Sequence, residues 1–204
     1  PMYIRDAQGN IIFDEKSGIK SHDYGDGSII GLQRMYLAQS NPISDNLLNT
    51  RHTEGNTVNA TGTLELRLPK NITFYSINNV YLNESRYTST TNPFFGQYAS
   101  ANGMVTKEHA RTWSYNYQQR LNWAESFGKN NVELMLAHEY FRSYGYDLWA
   151  DKSNQFSVDN KELAGAVVMG SANSSMSDYN TESWIARALY NYDEKYFASA
   201  SVMR

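Results

Sequence analysis

Four histidines, His22, His52, His109 and His138, are the side chains best suited to proton transfer near neutral pH or to holding a metal. None has a second ligand at metal-binding spacing. His138-Glu139 comes nearest to a metalloprotease pattern, and it lacks the second histidine of His-Glu-x-x-His. Asp6-Ala7-Gln8-Gly9-Asn10 and Asp23-Tyr24-Gly25-Asp26-Gly27 have a superficial likeness to calcium loops. Neither carries the full acidic spacing or the closing Glu, and turn chemistry accounts for both. Cysteine is absent, which removes disulfides, thiolate metal sites and Cys nucleophiles together. There is no P-loop, dinucleotide fingerprint or nucleophile elbow, and no pair of carboxylates is singled out for glycoside hydrolysis. No catalytic group, metal or cofactor is expected.

Aromatic side chains are the outlying feature, with 16 Tyr and 4 Trp. Phe94, Phe95, Tyr98, Tyr144, Tyr146 and Trp149 fall in two long polar stretches. Rings in such places can stack on sugars. They can equally pack the connections against one another, as ordered loops need a small core. Both alternatives stay open.

The stretch that organises the chain is Thr112 to Trp123. Its odd positions are Trp113, Tyr115, Tyr117, Gln119, Leu121 and Trp123, and its even positions are all polar. Period-2 alternation of this kind is a strand signal, because successive side chains on a pleat point to opposite faces. Trp113 and Trp123 are separated by roughly 33 Å at about 3.3 Å per residue. Tilted at about 45°, such a strand climbs roughly 23 Å, close to the lipid-facing band of about 25 Å with an aromatic girdle at each border. A long strand in a soluble sandwich has the same alternation, so this stretch alone leaves the two open.

Alternation recurs elsewhere. It begins at Thr57, where Val58, Ala60, Gly62, Leu64, Leu66 and Leu68 share a face. Ile72–Asn83 is rich in Tyr, Ile and Phe but alternates less cleanly. In the stretch 131–142, Val132, Leu134, Leu136 and Tyr140 share a face. In 181–192, Trp184, Ala186, Ala188, Tyr190 and Tyr192 do the same, and Tyr196 begins a further strand. Short turns centre on Lys70, Gly128 and Glu194, and long connections run over 84–111 and 143–180. In an antiparallel meander this order puts every short turn on one side and every long connection on the other, the layout of an outer-membrane barrel. The predicted fold is all-β, an antiparallel transmembrane β-barrel segment of about six strands over 57–204. Residues 1–56 are predicted to be an irregular extracellular region with a small hairpin and one short helix near 45–51. Trp113, Trp123, Trp184 and Tyr192 are assigned to a lipid-facing girdle. Arg120, Glu133, Glu139 and Arg187 are assigned to the lumen face.

Composition agrees with these assignments. Net charge is -3 and the pI about 5.8, which gives no basic footprint for nucleic acid. No apolar run is long enough for a transmembrane helix. A mean hydropathy of -0.61 does not argue against a barrel, whose strands are half polar by design. The start, Pro1-Met2-Tyr3-Ile4-Arg5-Asp6, lacks the basic and apolar parts of a signal peptide. The sequence is expected to begin inside a longer protein.

Near the C-terminal end the residues 180–204 carry Tyr190-Asn191-Tyr192, the turn Asp193-Glu194-Lys195, Lys195-Tyr196, and an Ala198-to-Val202 core. This pattern resembles the barrel signature of SusC/RagA-type TonB-dependent transporters. Tyr3 to Asn10, Ser40-Asn41-Pro42, Asn92 to Gln97, Asn122-Trp123 with Ser126 to Asn130, and Ala137-His138-Glu139 are similar to other stretches of that family. Met203 stands where an Arg is common. Nothing resembles the plug, the TonB box or the N-terminal extension. The resemblance implies active import of oligosaccharides or oligopeptides across the outer membrane of a Gram-negative bacterium, with no bond broken. It implies a plugged barrel of about 22 strands, a SusD-like surface lipoprotein as lid, TonB as the energy-coupling partner, and the lipid bilayer around the wall. From another class, a soluble or surface-attached β-sandwich that binds glycans fits the same alternation.

Overall fold

The structure, a computed structural model, describes residues 3–15, 17–25, 33, 35 and 40–204. Asp26 and Gly27, the end of the second Asp/Gly-rich stretch, lie outside the described residues, as do Pro1 and Met2. A helix α1 (Pro42–Leu48) precedes strands β1 (Thr50–Leu68), β2 (Ile72–Thr91), β3 (Met104–Phe127), β4 (Asn130–Gln155), β5 (Ala166–Tyr192) and β6 (Tyr196–Met203). The strands form one six-stranded antiparallel sheet in sequence order. The β5–β6 register runs from Tyr192↔Tyr196 to Ile185↔Met203.

Local chemistry sets the boundaries. Asn41 caps α1, its side chain accepting from the Ile43 and Ser44 amides at 3.1 and 3.3 Å. Pro42 follows at the first helical position, where its missing N–H costs nothing. The helix therefore starts earlier than 45, because Asn41-Pro42 is a start signal as well as a turn signal. Lys70 and Asn71 have φ of 63° and 58°, and Asp193 and Glu194 have 53° and 56°. Paired left-handed residues match the right-handed twist of flanking strands in tight hairpins. Gly128 supplies the positive φ, 63°, between β3 and β4.

The connections 69–71, 128–129 and 193–195 are short, and 92–103 and 156–165 are longer, so the predicted alternation of lengths holds. The strands are longer than their alternation indicated. β1 starts at Thr50 rather than Thr57, β2 runs to Thr91, and β3 starts at Met104. β4 runs to Gln155, and β5 starts at Ala166. Tyr144, Tyr146 and Trp149, expected in a loop, lie within β4. The physical reason is that a ladder needs only backbone pairing. Where both faces of a strand meet water, the side chains need not alternate, and the Ser/Asn-rich sequence looks like a loop.

The chain divides into two compact units, each of which draws on several strands. The first comprises Pro1–Glu54, Ser85–His109 and Asp147–Ser174, and the second Gly55–Glu84, Ala110–Tyr146 and Ser175–Arg204. Among the described residues, the buried apolar side chains are Tyr24, Val105 and Ala166, and all belong to the first unit. The second unit is a sheet without a buried core of its own.

Candidate functional site

In the first unit the N-terminal segment, α1 and the connection 92–103 meet around aromatic rings. Arg5 pairs with Ile11, and Tyr3 with His22. Asp6 organises the first turn, accepting from the Gln8 and Asn10 amides and from the Asn10 side chain. Those donors, with Asn10 foremost, hold its carboxyl below the ordinary carboxylate range. Turn formation is thus what this aspartate does. Tyr24 stacks on Phe95 at 5.8 Å, and its hydroxyl meets Ser44 Oγ at 2.5 Å. Asn92 accepts from the Phe94 and Phe95 amides, fixing both rings, and its own amide donates to Asn49 at 2.7 Å. Phe95 is therefore held within the packing of this unit. Phe94 and Tyr98 are partly exposed and Trp149 is exposed.

The second unit carries two contrasting sheet faces. On one face Val58, Leu64, Leu66, Leu68, Leu121, Leu134, Leu136 and Val202 are all exposed. A shallow apolar groove of about 580 Å³ runs along it, with Leu121, Trp123, Leu134, Leu136, Ala186 and Ala188 among its lining residues and Arg187 also in its lining. Rings border this face. Trp113 stacks on Tyr115 at 5.6 Å, Tyr115 and Tyr117 each stack on Tyr140, and Tyr144 lies 6.1 Å from Trp113. Trp123 packs near Phe127, and Tyr192 near Tyr196. Trp184, 52% exposed, lies 4.4 Å from His138. Beyond Trp184 the face turns polar. His138 meets Glu182 at 2.8 Å, and Arg142 forms a bidentate pair with Asp178.

The other face is polar. Asn79 donates to Asn59 and Thr61, and Thr57 to Asn83. Gln118 donates to Glu139 at 2.7 Å, and the Arg120 guanidinium lies 4.5 Å above the Tyr75 ring. Glu133 and Arg187 are exposed. Tyr75, Asn116, Gln118 and Asn122 were not singled out from the sequence. Their shared even parity with Arg120 on β3 was the available signal for the last three. The less clean alternation of β2 has a cause too. Tyr75 and Ile77 share the polar face with Asn79 and Arg120, while Ser76 and Asn78, of the other parity, satisfy each other with a hydrogen bond of 3.0 Å.

Among the described residues no group of three or more His, Asp or Glu is placed to hold a metal ion. Among the described residues no helix is long and apolar enough to cross a membrane, which says nothing of strands.

The architecture is that of a stretch of β-barrel wall, and solved structures share it. The chain is similar to the RagAB peptide transporter at 16% identity and a TM-score of 0.73, over 97% of this chain and 21% of that one. The RagAB peptide importer in its closed-closed state matches with the same TM-score of 0.73, at 16% identity over 97% and 21% of the two chains. Its open-open state matches with a TM-score of 0.72, at 16% identity over 97% and 20%. The chain spans about a fifth of the length of these chains, and at this identity the likeness is one of fold. No family model and no curated protein matches the sequence.

Proposed function

We propose that this chain forms part of the wall of an outer-membrane importer of the SusC/RagA type, which takes up oligosaccharides or oligopeptides. In this account the ring-bordered apolar face meets lipid and the polar face lines the lumen. Trp113 and Trp184 lie toward the outer border, and Trp123 and Tyr192 toward the periplasmic one. Arg120, Glu133, Glu139 and Arg187 face the interior. The longer connections and the strand ends they join, with Phe94, Phe95, Tyr98, Tyr144, Tyr146 and Trp149, stand on the extracellular side toward substrate and a SusD-like lipoprotein. TonB drives the transport, and no covalent chemistry is performed.

The observation that carries this is the second unit's exposed apolar face on a sheet with no core. Soluble monomers rarely expose apolar patches beyond a few hundred Å², whereas a barrel wall requires one. The sorting of connection lengths and the fold shared with RagAB support the same assignment. Fractionation of the full-length protein tests it. Recovery in the outer membrane, with heat-modifiable mobility in detergent, is expected. Recovery in a soluble fraction would contradict it.

A further inference from the structure

The polar face of the second unit holds a cleft of about 190 Å³, lined by Tyr75, Ile77, Gln118, Arg120, Ala137 and Glu139 among others. Arg120 Nε, in this lining, is buried without a hydrogen-bond partner, and so are Asn116 Oδ1 and Asn122 Oδ1 further along β3. Buried polar groups are normally satisfied, and an unmet charged donor is the costliest kind. Among the described residues Arg120 has no carboxylate partner. Glu139, the nearby acid, is occupied by Gln118 at 2.7 Å and Asn116 at 3.5 Å. The Tyr75 ring fixes the guanidinium plane from one side and leaves its edge for another group.

We propose that this cleft is a carboxylate site, in which Arg120, stacked on Tyr75, receives a carboxylate from outside the described sheet. A planar guanidinium held against a ring matches a carboxylate with paired N–H donors. Asn122 lies two residues along the same face of β3 and can turn its amide to offer a donor. Two sources share this chemistry: an acidic side chain of the same full-length polypeptide, and an acidic peptide taken up from outside. The site rests on the proposed lumen-facing orientation of this face.

Zero-length carbodiimide crosslinking in outer-membrane preparations of the full-length protein tests the site. The variant Arg120→Lys places an amine where the guanidinium was. Asn122→Lys places one beside an intact Arg120, and serves if the first variant fails to fold. The expected result is a crosslink, mapped by mass spectrometry, from the introduced amine to a carboxylate outside residues 50–204. If that carboxylate lies elsewhere in the polypeptide, the partner is internal. If the crosslink forms only with added tetraglutamate, the partner is an incoming peptide. Crosslinking only to carboxylates within residues 50–204, or none in either variant, overturns the site. Absence of the protein from the outer membrane would instead sink the transporter assignment, so the two failures are distinguishable.

Discussion

His22 is 4% exposed, and both ring nitrogens lack a hydrogen-bond partner. Its ring packs against Tyr3 at 4.9 Å and Phe95 at 6.0 Å. Burial pushes its pKa below the ordinary 6.5, because the charged form loses its hydration. The Lys20 backbone acts in the opposite sense, favouring the charged ring, and burial outweighs it. The folded state therefore binds fewer protons than the unfolded state just below pH 6.5. Its contribution is intact above that value and is lost as pH falls through the folded pKa. Hydrogen exchange of residues 3–24 should accelerate between about pH 7.5 and about pH 5.5 after correction for intrinsic rates. The variant His22→Phe should remove that acceleration. An acceleration unchanged in the variant would assign the effect to another group.

At the scale of elements, the strands were legible where their two faces meet different surroundings. β3 from 112 to 123 and β5 from 181 to 192 announce themselves because one side is aromatic or aliphatic and the other polar. The same strands vanish from the pattern beyond that band. Residues 143–155 of β4 and 166–180 of β5 are strand, yet their sequence has no period, since neither face is set apart. The polar cleft was half legible. Parity put Arg120 and Glu139 on the polar faces, but pairing of β2 with β3 was needed to bring Tyr75 beneath Arg120. The face assignment makes a prediction at this scale. Leu136→Arg, inside the apolar band, should cost about 2–4 kcal/mol in reversible folding into bilayers. Glu133→Arg on the polar face should change stability by less than about 1 kcal/mol. Equal costs at the two positions would remove the distinction between the faces.

The whole sheet is open. β1 and β6 are exposed along their lengths, and residues 166–183 of β5 lie beyond the register of β6. Unpaired edges are not tolerated in hydrocarbon, and spanning barrels have about eight strands or more. On the membrane account these edges are paired by further strands of the full-length wall. Strands of 19 to 27 residues from β1 to β5 exceed the roughly 9–11 residues that a crossing needs, so on the same account much of each stands outside the bilayer. The central claim is that the face of Trp113, Tyr115, Tyr117, Leu121 and Trp123 meets lipid. These 204 residues contain no cysteine, so single cysteines can be introduced from 112 to 123, with any cysteine elsewhere in the full-length protein replaced by serine, and spin-labelled after reconstitution. The account predicts that odd positions collide with oxygen dissolved in the bilayer, while even positions are shielded from it, in strict alternation. Odd positions shielded from oxygen, packed against a second protein sheet, would contradict it.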